Sequence, residues 1–326
     1  MDDFSNMLTK ILDFPSESKI DDFIFELFQF QFQHVAVYQA YCKSIQRTNP
    51  SSILEIPFLP IEFFKTREVI VNNTKAEKVF MSSGTSKTGR SRHFVKDISI
   101  YELSFLAGFT DFFGNSKEMV ILGLLPNYLE QGNSSLVYMV QKLIDESQNE
   151  LSGFFLNDFS GLFNNIHQAK SQHKKIILFG VSYALLDLAD KNVDLSGVVV
   201  IETGGMKGRR KEMIKEELHF ELKNKLNLTE IHSEYGMSEL LSQAYSMKNG
   251  VFKPSKGMKI LIRDTTDPFS YLPDGMTGGI NVIDLFNCYS CSFIATQDLG
   301  KITSDGFEIM GRFDQSEIRG CNLLVN

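Results

Sequence analysis

Lys78-Val79-Phe80-Met81-Ser82-Ser83-Gly84-Thr85-Ser86-Lys87-Thr88-Gly89-Arg90-Ser91-Arg92-His93-Phe94-Val95-Lys96 is a strand-length run, a polar turn and a second extended run. The turn, residues 82–91, is rich in hydroxyls, and its glycines let a ligand approach the backbone closely. The N–H groups and hydroxyls of Ser82, Ser83, Gly84, Thr85 and Ser86 can cradle phosphate oxygens. Lys87 and Arg90 are candidate catalytic cations, adding positive charge where a triphosphate would lie. The plain alternative is a polar hairpin turn. A hairpin has no need of Ser82-Ser83-Gly84-Thr85-Ser86 as a block, so phosphate binding is the preferred reading.

A second phosphate reading competes. Gly84-x-x-x-x-Gly89-Arg90-Ser91 approaches the P-loop pattern with arginine in place of lysine, and the apolar run 198–201 ending in Glu202 could serve as its second strand. A P-loop, however, opens directly into the helix that holds the phosphates. Residues 92–96 read as extended, and capping-box spacing first occurs at Ser99-Ile100-Tyr101-Glu102, which predicts a helix ending near Gly114. A P-loop NTPase therefore ranks second.

Outward from the loop the chain changes texture. Residues 5–47 read as helical, with Ile20, Phe23, Phe25 and Phe28 among their apolar positions, up to Asn49-Pro50. Apolar runs of strand length at 120–125, 151–156, 176–179 and 198–201 alternate with helical segments at 134–145, 158–173 and 182–189. That alternation predicts an α/β fold with a mostly parallel sheet covered by helices. Beyond Glu239, short extended pieces at 241–247, 258–263, 279–285, 293–296 and 307–310 are punctuated by Pro273-Asp274-Gly275 and Ser304-Asp305-Gly306. These predict an antiparallel or barrel-like part. The expected domains are a helical lead over 1–75, an α/β nucleotide-binding core over 76–240 and a β-rich subdomain over 241–326.

Tyr235-Gly236-Met237-Ser238-Glu239 follows an expected strand at 229–233. An aromatic ring, a tight glycine turn, a hydroxyl and a carboxylate can serve one nucleotide: ring on base, hydroxyl on phosphate, acid on Mg²⁺. The order of pieces adds weight. The block at 82–86 is followed by Glu202-Thr203-Gly204-Gly205, then residues 235–239, then Gln297-Asp298-Leu299-Gly300, then Gly311-Arg312-Phe313-Asp314. This series resembles the adenylate-forming superfamily. Within it, Pro60-Ile61-Glu62-Phe63-Phe64-Lys65 and Ser233-Glu234-Tyr235-Gly236-Met237-Ser238-Glu239-Leu240-Leu241-Ser242-Gln243 resemble the acyl-protein synthetases of bacterial fatty-acid reductase systems. The resemblance runs from about residue 55 to the end.

It implies the large-domain fold of that superfamily and ATP-dependent activation of a carboxylic acid, here fatty, as an acyl-adenylate. Ser83, Thr85 and Ser86 would then bind the phosphates of ATP, Gly204 and Gly205 would line the adenine pocket, and Tyr235 would stack on the ring. Ser238 would touch the α-phosphate, Glu239 would bind Mg²⁺, and Asp298 would accept from the ribose hydroxyls with Arg312 close by. Asp298 has a plainer alternative as a turn-forming acid, and Arg312 as one half of a surface ion pair.

Members of the superfamily continue past the Gly-Arg-x-Asp hinge into a cap that carries a lysine used in adenylation. This sequence ends at Asn326, so the expectation is that the reaction proceeds without that lysine, that a partner supplies it, or that the chain is a catalytically weak nucleotide- or acyl-binding subunit. The resemblance also implies transfer of the acyl group to a cysteine near the carboxyl terminus, and Cys321, after Arg319-Gly320, is the candidate. Alternatively Cys321 is a small buried apolar residue, and coenzyme A or an acceptor protein, a reductase or carrier protein, supplies the thiol.

The other signals are bland. Cys288-x-x-Cys291 has no second pair, which argues against zinc and disulfide redox chemistry. His93 and His232 flank the two main motifs, and His232 is either beside the acyl pocket or structural. Lys207-Gly208-Arg209-Arg210-Lys211 reads as the start of a helix to about Leu226, a solvated face balanced by Glu212, Glu216 and Glu217. A net charge of −7 without a basic stripe excludes nucleic acid as the main partner. The longest apolar run, 119–126, is far short of the ~20 residues that span a bilayer, and the acidic start lacks a secretory pattern. A cytoplasmic protein is expected.

Overall fold

In this computed structural model the residues described are 17–82, 89–126, 132–204, 210 and 213–312. Eight α-helices are present among them: α1 (Glu17–His34), α2 (Ala36–Ser44), α3 (Phe63–Thr66), α4 (Ile98–Phe113), α5 (Ser135–Ser147), α6 (Phe159–Ser171), α7 (Ser182–Ala189) and α8 (Lys215–Leu226). The strands up to the middle of the chain are β1 (Leu59–Pro60), β2 (Lys78–Met81), β3 (Arg92–Val95), β4 (Met119–Leu124), β5 (Gly153–Phe154), β6 (Lys175–Val181) and β7 (Val198–Thr203). The remainder are β8 (His232–Tyr235), β9 (Ala244–Lys248), β10 (Val251–Pro254), β11 (Met258–Arg263), β12 (Gly278–Asp284), β13 (Phe293–Thr303) and β14 (Gly306–Arg312). The described residues divide between two compact units, one holding those of 17–79, 91–100 and 256–312, the other those between 80 and 90 and between 101 and 255.

The second unit holds the parallel sheet the alternating runs predicted. Its strands lie in the order β10-β9-β8-β7-β6-β4-β5. β4 through β8 are parallel, with Ile121 beside Ile177 and Ile177 beside Val199; β9 and β10 are antiparallel. Every residue of β4 is buried, as is β6 after Lys175, because a strand covered on both faces has no polar side to offer. α5 packs on β4 and α6 on β6, and Leu143, Val140, Leu162 and Ile166 are buried. Serine and aspartate caps begin both helices: Ser134 Oγ accepts from Val137 N–H and Asp158 Oδ1 from Gly161 N–H.

In the first unit β11, β12, β13 and β14 form an antiparallel run, and β1 pairs in parallel with β13. β13 changes neighbour along its length: Ile294 and Ala295 face Leu59 and Pro60, whereas Asp298 faces Arg312. Gln31 fixes α1 to this framework from a fully buried position. Its Nε2 donates to Asn287 O, Cys288 O and Ser292 Oγ, and its Oε1 accepts from Ser292 N–H. Phe28, Tyr38 and Phe58 surround Phe293 at ring distances of 6.0–6.3 Å. Among the described residues no helix is long and apolar enough to cross a membrane.

Several local expectations are corrected. The helix expected from Ser99 begins at Ile98, and Asp97 caps it, accepting from the N–H and hydroxyl of Ser99. The run at 151–156 contributes only Gly153 and Phe154 to the sheet. Ile214 is extended and α8 starts at Lys215, so residues 213 and 214, expected inside that helix, precede it. Arg210 stays partly exposed, and the acids that balance it are Asp187 at the end of α7 and Asp190, the latter at 2.7 Å, rather than glutamates of its own segment.

Candidate active site

Parallel sheets present their carboxyl ends to ligands, because there the loops leave the strands. β7 and β8 are adjacent, and their last residues bring two of the sequence motifs together: Thr203 pairs with Glu234, so Gly204 and Tyr235 leave neighbouring strand ends. Tyr235 is the last residue of β8 rather than a residue beyond it. Its ring meets Phe252 edge-on at 6.1 Å and is only 8% exposed.

A charged network lies at these strand ends. Glu202, 4% exposed, accepts from Ser182 Oγ at 2.5 Å and Ser233 Oγ at 3.4 Å, and Lys215 Nζ stands 3.7 Å away. Ser233 Oγ is also 3.3 Å from His219 Nε2, and the Lys215 ammonium lies 4.5 Å from the Phe252 ring centre. Burial lowers the Lys215 pKa against the pull of Glu202. Burial also takes His219 down to about 4, which leaves a neutral ring at physiological pH. Glu234 moves the other way: burial, then the charge of Glu202, raises its carboxyl to about 8 while Lys215 opposes the rise. Sequence reading missed Lys215, Ser182 and His219 as members of this group, and Glu234 on the opposite face beside it. The available signal was an acid closing the apolar run of β7, since a buried carboxylate requires partners.

Residues 236–239 continue from Tyr235. Gly236 is exposed, and a Cβ there would collide with Glu234 Oε1. Met237 and Ser238 are half-buried, Leu240 N–H donates to Met237 O at 3.1 Å, and Glu239 is 5% exposed. No group of three or more His, Cys, Asp or Glu among the described residues is arranged to hold a metal ion. A single carboxylate such as Glu239 nonetheless suits Mg²⁺, which commonly takes one or two carboxylates and fills its shell with phosphate and water. Gly204 is exposed, and a Cβ on it would meet no described residue within 4 Å.

Of the hydroxyl-rich loop, Ser82 is half-buried, Gly89 has φ +91°, and Arg90 is exposed. Met81 N–H donates to Asn133 O at 2.8 Å just before the loop. Ser82 and Arg90 belong to the same unit as residues 235–239. After Arg90 and Ser91 the chain enters β3, not a helix, which removes the P-loop alternative. Ser83, Gly84, Thr85, Ser86, Lys87, Gly205 and Cys321 lie outside the described residues.

Asp298 and Arg312 are brought together in the first unit. Arg312 Nε donates to Asp298 Oδ1 at 3.2 Å, the arginine side chain being 71% exposed and the aspartate 10%. Asp298 lies within β13, so the turn-forming alternative does not hold. In the same unit a cavity of about 190 Å³ is lined by Arg47, Phe58, Glu62, Arg263, Phe269 and Tyr271, among others. His93 is fully buried against Asn287, 2.9 Å away, and His232 is half-buried beside Phe113, with Nδ1 unpaired among the described residues. The surroundings of His93 are structural. Cys42, Cys288 and Cys291 are buried, and burial pushes their thiols up, that of Cys42 to about 12.

The family model described as "Acyl-protein synthetase, LuxE" matches residues 12–326. The chain belongs to this family. Solved structures share its fold. One is MatB from Rhodopseudomonas palustris with ATP bound, at 19% identity and a TM-score of 0.54, covering 72% of this LuxE-family chain and 47% of MatB. A second is 2-hydroxyisobutyryl-CoA ligase in complex with 2-HIB-AMP and CoA, at 10% identity and a TM-score of 0.66, covering 92% of this chain and 75% of that one. A third is McyG A-PCP complexed with phenylalanyl-adenylate, at 18% identity and a TM-score of 0.53, covering 76% and 48%. The LuxE-family chain thus spans about half the length of MatB. No curated protein matches it.

Proposed function

We propose that this protein uses ATP to activate a carboxylic acid, fatty by family, as an acyl-adenylate, and passes the acyl group to a thiol. The observation that carries the reading is the pairing of Thr203 with Glu234, which sets Gly204 and Tyr235 at adjacent ends of parallel strands. Membership of the acyl-protein synthetase family supports it independently.

In this reading the carboxylate oxygen of the acid attacks the α-phosphorus, a P–O bond forms, and pyrophosphate leaves. The loop 82–91 receives the polyphosphate through its N–H groups and hydroxyls, with Lys87 and Arg90 opposing its charge. Gly204 and Gly205 leave room for the adenine, and Tyr235 offers what remains of its ring face. Ser238 donates to the α-phosphate, and Asp298 accepts from the ribose hydroxyls beside Arg312. Bound Mg²⁺ would neutralise phosphate charge, with Glu239 as its protein ligand. A thiolate then attacks the acyl carbon and AMP leaves. Cys321, a carrier or reductase protein, and coenzyme A are the candidate thiols, and a cytoplasmic setting suits all three.

Acid-dependent exchange of labelled pyrophosphate into ATP tests the activation step. Exchange with a panel of fatty acids is the expected result, and none with any acid would leave only a nucleotide- or acyl-binding subunit. Labelled acyl retained on the protein, and lost in Cys321→Ser while exchange persists, places the transfer on Cys321. Labelling of that variant at the wild-type level removes Cys321 from the role.

A further inference from the structure

Opposite the Glu202 network, the same strands carry polar groups that the fold leaves unserved. Thr203, Glu234 and Tyr245 stand side by side across β7, β8 and β9, paired Thr203↔Glu234 and Glu234↔Tyr245. Residues paired in register share one face of a sheet, and the neighbouring Glu202↔Ser233 pair takes the other. Gln243 joins the row: a Cβ on Gly236 would strike Glu234 Oε1 and lie 3.5 Å from Gln243 Cγ, so both side chains converge over that glycine. Phe112 and Phe113 of α4 roof Tyr245 at ring distances of 5.1 and 5.3 Å.

Thr203 Oγ1, Gln243 Oε1 and the Tyr245 hydroxyl are buried and have no hydrogen-bond partner among the described residues. Glu234 makes no hydrogen bond there either, although its carboxyl is within electrostatic reach of Glu202 and Lys215. An unpaired buried polar atom costs stability, and folded proteins keep few of them. Three on one patch, while the other face serves every oxygen of Glu202, is the pattern of a site held ready for a ligand.

We propose that Thr203, Glu234, Gln243 and Tyr245 form a specificity subsite that selects acids carrying a hydroxyl group within a few bonds of the carboxyl. The proposal rests on the acyl-adenylate reading, in which residues 235–239 hold the nucleotide and the reacting carboxyl therefore lies beside Gly236. A hydroxyl both donates and accepts, which matches an amide oxygen, two hydroxyls and a protonated carboxyl. A plain alkyl chain would leave all four unpaired, and a second carboxylate would meet Glu234. An ammonium group only donates, so it cannot accept from the hydroxyls of Thr203 and Tyr245.

Calorimetric titration of the intact chain with acids of matched length tests this: unsubstituted, hydroxylated at the second or third carbon, and aminated. A hydroxylated acid is expected to bind at least about tenfold more tightly than the plain one, since a site built for a hydroxyl rejects the analogue lacking it. Thr203→Val and Gln243→Leu are expected to bring the ratio near one and to raise the Tm of the ligand-free protein, each having removed an unpaired buried atom. Ser246→Ala, on the opposite face, keeps the ratio. Equal affinity for plain and hydroxylated acids, a preference that survives both substitutions, or a preference for the aminated acid overturns the proposal. Binding is read without turnover, so a hydroxyl preference without pyrophosphate exchange counts against the adenylating reading alone, and no binding of any acid defeats both.

Discussion

Ser182 donates its hydroxyl hydrogen to Glu202 at 2.5 Å, tying the first residue of α7 to the penultimate residue of β7. The same carboxylate holds Ser233 of β8 and Lys215 of α8, so one buried acid fastens four elements. Glu202→Ala strands the buried Ser182 hydroxyl, leaves Ser233 with His219 as its remaining partner and unpairs the partly buried Lys215 ammonium, and is expected to cost about 3 kcal/mol. Glu202→Gln retains an acceptor and costs less. Urea unfolding of both variants measures this, and a loss below about 1 kcal/mol for the alanine would show the network to be incidental.

Glu234 and His219 give stability opposite slopes with pH. Below its ordinary value of 4.5 the Glu234 carboxyl is protonated in both folded and unfolded chains; above it the unfolded chain ionises first, while the folded chain keeps its proton to about 8. Its contribution therefore falls as pH rises from 4.5 to 8. For His219 the unfolded chain takes up a proton below 6.5 and the folded chain only near 4, so that contribution falls as pH drops through this window. Glu234→Gln is expected to flatten the alkaline slope in unfolding experiments across pH 4.5–8. A variant whose slope parallels the wild type rejects the raised carboxyl.

Three glycines separate packing from function. A Cβ at Gly278 would collide with the Arg263 carbonyl in the β11–β12 ladder, where backbone cannot yield, so Gly278→Ala should cost about 3 kcal/mol. At Gly236 the obstacle is the free end of Glu234, which can swing aside for less than about 1 kcal/mol. Gly204→Ala meets no described residue and should leave the Tm unchanged while raising KM for ATP, because the methyl fills the proposed adenine space. Thermal unfolding and exchange kinetics on the three proteins check the ordering, and an unaltered ATP dependence in Gly204→Ala rejects that placement.

Arg312 is mostly exposed, so Arg312→Ala should cost at most about 1 kcal/mol of stability despite its bond to Asp298. If the pair meets the ribose, Asp298→Asn and Arg312→Ala both raise KM for ATP, and a 2′-deoxy nucleotide narrows the gap between Asp298→Asn and wild type. An undiminished gap with the deoxy nucleotide argues that Asp298 acts elsewhere.

The sheet was legible because β4, β6 and β7 are apolar throughout, and α7 matches its expected bounds of 182–189. Local capping was harder to read: Asp97 competed with Ser99 for the start of α4, and the bonds that decide it involve positions two apart. Basic residues before Lys215 suggested an early helix start, yet Arg210 is drawn to Asp187 and Asp190, more than nineteen positions back, which no local pattern reveals. The motifs at 202–205 and 235–239 were found by their composition. Their adjacency, and the network of Lys215, Ser182 and His219 beside them, depend on parallel pairing across a connection that contains α8.

β13 takes β1 as one neighbour, and Gln31 reaches across a sequence separation of 256 residues to Asn287. During synthesis β4 to β10 emerge as one continuous stretch, whereas Phe28, Tyr38 and Phe58 leave the ribosome long before Phe293 exists to receive them. Until then Phe28 and Tyr38 have each other and Phe32 for company, but the ring on which they and Phe58 converge is missing, and whatever shields them has to hold for most of translation. The packing of α1, α2 and β1 is therefore completed only when a strand made more than two hundred residues later arrives.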